Sequence, residues 1–94
     1  MLGHSHGPAV QQTQTRLRRE LVDRWCIEPG SRVLEIGCGQ GDTTAVLAAA
    51  VGSTGRVTAV DPAARSYGTP VTLGQSADHL LRGPLGSRID FRFG

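Results

Sequence analysis

Two short stretches hold the residues whose types and spacing could do chemistry. In VLEIGCGQGD, residues 33–42, an apolar run carrying one acid, Glu35, breaks into glycines at 37, 39 and 41 and ends on a second acid, Asp42. In RVTAVD, residues 56–61, a second apolar run ends on Asp61. Glycine loses more backbone freedom on folding than any other residue, so a cluster of this density signals tight turns or close approach to a ligand. A carboxylate at a strand end, about twenty residues beyond such a loop, can accept hydrogen bonds from both hydroxyls of a ribose. Together they predict a site for a nucleoside-containing ligand.

The other reactive side chains form no comparable set. Cys38 sits inside the loop with no evident base nearby, and reads as a small residue packed in a turn rather than a nucleophile. A disulfide to Cys26 would distort the loop, so reduced thiols and a cytoplasmic protein are expected. His4 and His6 lack further ligands, so no metal site is expected. His79 and Tyr67 read as a helix-surface and a loop residue rather than general bases, and no catalytic residue is assigned. Arg16, Arg18 and Arg19 alternate with Glu20 and Asp23 at helical spacing, the pattern of a paired, solvated face. A net charge of +2 gives no reason to expect nucleic acid. The longest apolar run, residues 45–51, is far too short to span a membrane, and the N-terminus lacks the apolar core of a signal peptide.

The elements that must position the two acids and the glycines follow from periodicity. Residues 1–8 read as a flexible tail, and residues 9–94 as one folded unit. Pro8 suits a helix start, and Val10, Leu17, Leu21, Val22 and Trp25 recur at helical spacing until Glu28-Pro29-Gly30. Strands are predicted over residues 32–37 and 56–61, with a helix over 43–51 between them, Asp42 as its N-cap and Gly52 as its stop. A loop rich in Pro, Gly and small residues covers 62–71. Thr72 and Gln75 then have capping-box spacing ahead of a helix whose apolar face is Leu73, Ala77, Leu80 and Leu81. Residues 88–93 alternate, with Ile89, Phe91 and Phe93 on one side and Arg88, Asp90 and Arg92 on the other.

Strands alternating with helices predict a Rossmann-like α/β fold, a parallel sheet with flanking helices built of right-handed crossovers. The nearly all-apolar first strand fits a central strand covered on both faces, and the alternating third strand fits an edge, as in the order 3-2-1-4. Strand four is missing, so the chain reads as a domain truncated after its third strand, with one edge of the first strand open to self-association or a partner. Within such a fold the glycines fall at the ligand-binding end of the first strand. Gly37 turns the chain, Gly39 lets backbone approach a ligand, and Gly41 lets the next helix pack close to the sheet.

The charges discriminate between ligands. A dinucleotide would rest its pyrophosphate on the helix N-terminus, where Asp42 would repel it. A ligand bearing an ammonium and a sulfonium, as S-adenosylmethionine does, suits Glu35 and Asp42. The stretch VLEIGCGQG resembles the first motif of class I S-adenosylmethionine-dependent methyltransferases, an acid followed by G-x-G-x-G, and RVTAVDPA resembles their second strand with its ribose-binding acid. IEPGSRVLEIG also resembles the usual approach to that first strand. The resemblance implies that Gly37, Cys38 and Gly39 line the ligand with backbone, and that Gly41 belongs to the same cofactor-binding loop. It further implies that Glu35 holds the loop or reaches the amino group and that Asp61 binds the ribose. It implies methyl transfer to an acceptor the sequence does not name. The family's substrate-side residues lie beyond the third strand, so turnover by this chain alone is not expected. A nicotinamide-dependent oxidoreductase fragment and a non-catalytic interaction module are the alternatives.

Overall fold

The computed structural model describes residues 8–94. The predicted tail, with His4 and His6, lies outside them except for Pro8, which opens the first helix. In chain order the elements are α1 (Pro8–Arg24), β1 (Arg32–Ile36), α2 (Asp42–Val51), β2 (Arg56–Asp61), α3 (Leu73–Arg82), a 3-10 turn (Gly86–Arg88) and β3 (Ile89–Phe93). The strands form one parallel sheet in the order β1-β2-β3. This is the Rossmann-like arrangement of three parallel strands with flanking helices.

Register explains which residues meet. Val33, Val57 and Ile89 lie abreast, then Glu35, Ala59 and Phe91, then Asp61 and Phe93 one step further. These share one face of the pleat, since side chains alternate along a strand. Two right-handed crossovers that step across the sheet in the same direction lay both helices on that same face. Accordingly Val57, Ala59 and Ile89 form the core with Val46, Leu47, Ala48 and Val51 of α2, and Leu80 of α3, Phe91 and Phe93 pack against it. The capping box of α3 is present: the Gln75 N–H donates to Thr72 Oγ1 at 3.1 Å, and the Thr72 N–H donates to Gln75 Oε1 at 2.9 Å.

The other face of the sheet is bare among the described residues. Leu34 and Ile36 are 63% and 78% exposed. The first strand is therefore covered on one face only by the described residues, because both crossover helices lie on the opposite side. Among the described residues its apolar Leu34 and Ile36 face outward. The first helix does likewise in part. Val22 is buried, whereas Leu17, Leu21 and Trp25, spaced one turn apart, are exposed. Arg88 leaves the predicted strand for the 3-10 turn, where its Nη1 donates to the carbonyl of Ala48 at 3.1 Å.

Candidate cofactor site

The glycine loop joins β1 to α2 at the C-terminal end of the sheet. Gly37 and Gly39 have positive φ, at 80° and 53°, and a Cβ built on either would meet no atom within 4 Å. Both therefore border open space, where a side chain would intrude on a ligand. Gly41 differs. Its φ is 90°, but a Cβ there would come within 3.4 Å of Leu80 and 3.7 Å of Phe91. Gly41 is buried, a Cβ there would make ordinary contact with Leu80 and Phe91, and it is the left-handed φ that favours glycine at this position.

The loop's amides are turned inward. The N–H groups of Gly37 and Cys38 both donate to the Val60 carbonyl, at 2.7 and 3.1 Å, and the Gly41 N–H donates to the Cys38 carbonyl at 3.0 Å. The Gly39 N–H donates to Asp61 Oδ2 at 3.0 Å. Asp61 closes the loop from β2, and its other oxygen, Oδ1, accepts from the Ala63 N–H at 2.9 Å. The Ala63 and Gly39 bonds hold the carboxyl of Asp61 below the usual carboxylate range, so it is an anion at neutral pH. A carboxylate oxygen has more than one acceptor direction, so both can still receive a ligand hydroxyl.

Glu35 turns toward α2, where its Oε1 accepts a hydrogen bond from the Thr44 hydroxyl. Burial raises its pKa above the usual value, and the Thr44 bond pulls it partly back. Cys38 is buried beneath the loop. Burial, then the charges of Glu35 and Asp61, push its thiol up to about 11. A protonated thiol there is no nucleophile at neutral pH. Both cysteines are free thiols.

Asp42 is not the N-cap of α2. Gly41 takes that position in a left-handed conformation without a side-chain cap, and Asp42 follows in the first turn, 3.8 Å from Arg18 of α1. An acid there still favours the positive end of the helix. The loop after Asp61 is fastened by Arg65, whose Nη2 lies 2.9 Å from both oxygens of Asp78 and 3.4 Å from the Gly74 carbonyl. Its guanidinium also lies 5.8 Å from the centre of the Phe93 ring. Tyr67 and His79 are exposed. Glu35, Cys38, the loop glycines and Asp61 are thus brought together at one end of β1 and β2. Thr44, which the sequence reading passed over, joins them. Its signal in the sequence was weak, because Thr43 beside it carries the same hydroxyl and only Thr44 is fully buried.

A parallel sheet with an inward-turned glycine loop and a strand-end acid fits the class I S-adenosylmethionine-dependent methyltransferase fold, and comparison with known proteins assigns it. The family model for Protein-L-isoaspartate(D-aspartate) O-methyltransferase (PCMT) matches residues 9–68. The chain belongs to that family, within the S-adenosylmethionine-dependent methyltransferases. It is 40% identical over 65 residues to Methyltransferase phomM' of Diaporthe leptostromiformis, covering 64% of this chain and 17% of that protein. Among solved structures, it is similar to a cyclopropane-fatty-acyl-phospholipid synthase-like protein from Lactobacillus casei, with a TM-score of 0.88 and 49% identity over 96% of this chain and 33% of that one. It is similar in fold to the O-methyltransferase TomG from Streptomyces achromogenes, solved in complex with SAM, with a TM-score of 0.63 and 24% identity over 87% of this chain and 33% of that one. It is also similar to CrArsM, an arsenic (III) S-adenosylmethionine methyltransferase from Chlamydomonas reinhardtii, with a TM-score of 0.53 and 38% identity over 72% of this chain and 22% of that one. The chain thus spans about a sixth of the curated relatives' length and a third of the Lactobacillus protein's.

Proposed function

We propose that this chain is the S-adenosylmethionine-binding part of a methyltransferase. The observation that carries the reading is the direction of the loop amides. Gly37, Cys38 and Gly39 spend their N–H groups on Val60 and Asp61. A pyrophosphate cradle needs such groups pointing at the ligand. What faces outward instead is bare glycine backbone at 37 and 39, flanked by the carboxylates of Glu35 and Asp61. That surface suits a ligand with ribose hydroxyls and a cationic tail, and it opposes a polyphosphate.

When bound, S-adenosylmethionine supplies a methyl group on a sulfonium that an acceptor atom attacks in line. Asp61 would hold the ribose hydroxyls and Glu35 would face the cationic end. Gly37 and Gly39 would let the backbone lie close between them. TomG was solved in complex with SAM and CrArsM is named as an S-adenosylmethionine methyltransferase acting on arsenic (III), whereas the family model is named for isoaspartate. The chain aligns with only a minor part of each matched protein, and its proposed site is for the donor. The acceptor is therefore assigned to no residue described here.

Calorimetric titration with S-adenosylmethionine and, separately, NAD tests the reading. Saturable S-adenosylmethionine binding is expected, weakened about tenfold or more by Asp61→Ala through loss of charge-assisted hydrogen bonds. The same variant should keep a cooperative thermal transition. NAD binding without S-adenosylmethionine binding would overturn the reading.

A further inference from the structure

Thr44 has no task in the reading so far. It is the buried polar residue of the core, at 0% exposure among the described residues. Thr44 lies in the first turn of α2, with no preceding helical turn to receive its hydroxyl. Here the hydroxyl crosses to another element and donates to Oε1 of Glu35 on β1. Among the described residues Oε2 accepts no hydrogen bond, and since no fully enclosed side-chain oxygen there lacks a partner, Oε2 is not fully enclosed.

This arrangement constrains the acid. A glutamate has three side-chain torsions and two equivalent oxygens, and an untethered one spreads its charge over many directions. With Oε1 held by a fully buried group, the carboxylate is fixed and Oε2 is the oxygen left to a ligand. Glu35 lies two residues before Gly37, which borders the open space, and its charge is felt at Cys38 inside the loop. The part of S-adenosylmethionine that needs such an acceptor is its ammonium, which has three donors.

We propose that Thr44 is a positioning residue for the cofactor's amino group: by holding Oε1 of Glu35 it presents Oε2 as the acceptor. The inference rests on the cofactor reading above. If Thr44 and Glu35 only fastened α2 to β1, losing the hydroxyl would disturb every ligand of the loop alike. A positioning role touches only ligands that carry the amino group.

The test compares S-adenosylmethionine with 5′-methylthioadenosine, which keeps the nucleoside and lacks the amino-acid tail. Titration of the full chain with each gives an affinity ratio for the unaltered protein and for Thr44→Ser and Thr44→Val. Thr44→Val is expected to weaken S-adenosylmethionine about tenfold, the loss of one well-placed charge-assisted bond, and to leave methylthioadenosine within about twofold. Thr44→Ser should keep the ratio of the unaltered chain. Equal weakening of both ligands, or of neither, overturns the proposal. Should Thr44→Val lose its cooperative thermal transition, Thr44→Ala is read in its place, and loss of the transition in both assigns Thr44 to the fold and overturns the proposal. If the unaltered chain binds neither ligand, the cofactor reading itself fails and this one with it. If it binds methylthioadenosine as tightly as S-adenosylmethionine, the nucleoside site stands and the amino-group role falls.

Discussion

The three ionisable groups around the glycine loop are tuned in different directions by their neighbours. Asp61 is held low by the Ala63 and Gly39 amides, Glu35 is raised by burial, and Cys38 is raised to about 11 by burial and by those two acids. The Cys38 shift has a stability consequence with a definite sign. Below its ordinary value of 9.0 the thiol is neutral in folded and unfolded chains alike, and its contribution is fully present. Between 9.0 and about 11 the unfolded chain releases this proton while the folded chain retains it, so stability falls as pH rises through that window. Denaturant titrations across the window should show the fall, and Cys38→Ala should flatten it. The same burial predicts that a thiol alkylating agent at pH 8 modifies exposed Cys26 and spares Cys38 until the chain unfolds. At this scale the convergence of Glu35, the glycines and Asp61 at one end of β1 and β2 was legible from type and spacing. The bond from Thr44 to Glu35 was not, because it exists only once β1 and α2 face each other.

Helix starts show which local signals survive folding. The capping box at Thr72 and Gln75 was legible from spacing alone, and both of its hydrogen bonds form. It satisfies groups that nothing else nearby supplies. Thr72→Ala should cost about 1 kcal/mol. For a chain of this size that lowers the melting temperature by roughly 4–8 °C, measurable by circular dichroism. Asp42 was a poorer guide for a physical reason. The loop needs a left-handed residue directly before α2, Gly41 provides it, and the helix begins one residue earlier than a cap at Asp42 would allow. The acid then falls inside the first turn, near Arg18. The third strand was legible in its alternation, and Phe91 and Phe93 stack at 5.9 Å on the core side as that alternation requires. Asp90 and Arg92 pair at 2.9 Å on the other.

For the molecule as a whole, the parallel order and the position of the site could be read from the strand–helix alternation, but the exposure of β1 could not. An apolar strand reads alike whether its second face is covered or bare, and coverage depends on which way the crossovers run. The Cα radius of gyration, 12.9 Å, is near the ~13 Å of a compact chain of about 100 residues, so loose packing does not account for the bare face. Leu34 and Ile36 lie in register with Thr58 and Val60 of β2, and β1 has a strand neighbour on one side only among the described residues. An apolar strand with an open edge and an open face is a surface for association, and a second copy of the same chain brings an identical one. The apparent mass of the 94-residue chain from light scattering should therefore rise with concentration. Replacing Leu34 and Ile36 together by threonine keeps strand propensity and removes much of the apolar area. The doubly substituted chain should scatter less at equal concentration while its melting temperature stays nearly unchanged, because neither side chain belongs to the core. A fall in melting temperature without any change in scattering would mean that these residues support the fold and that association, if seen, runs through another surface, with the exposed Leu17 and Leu21 of α1 and Trp25 just after it the next to substitute.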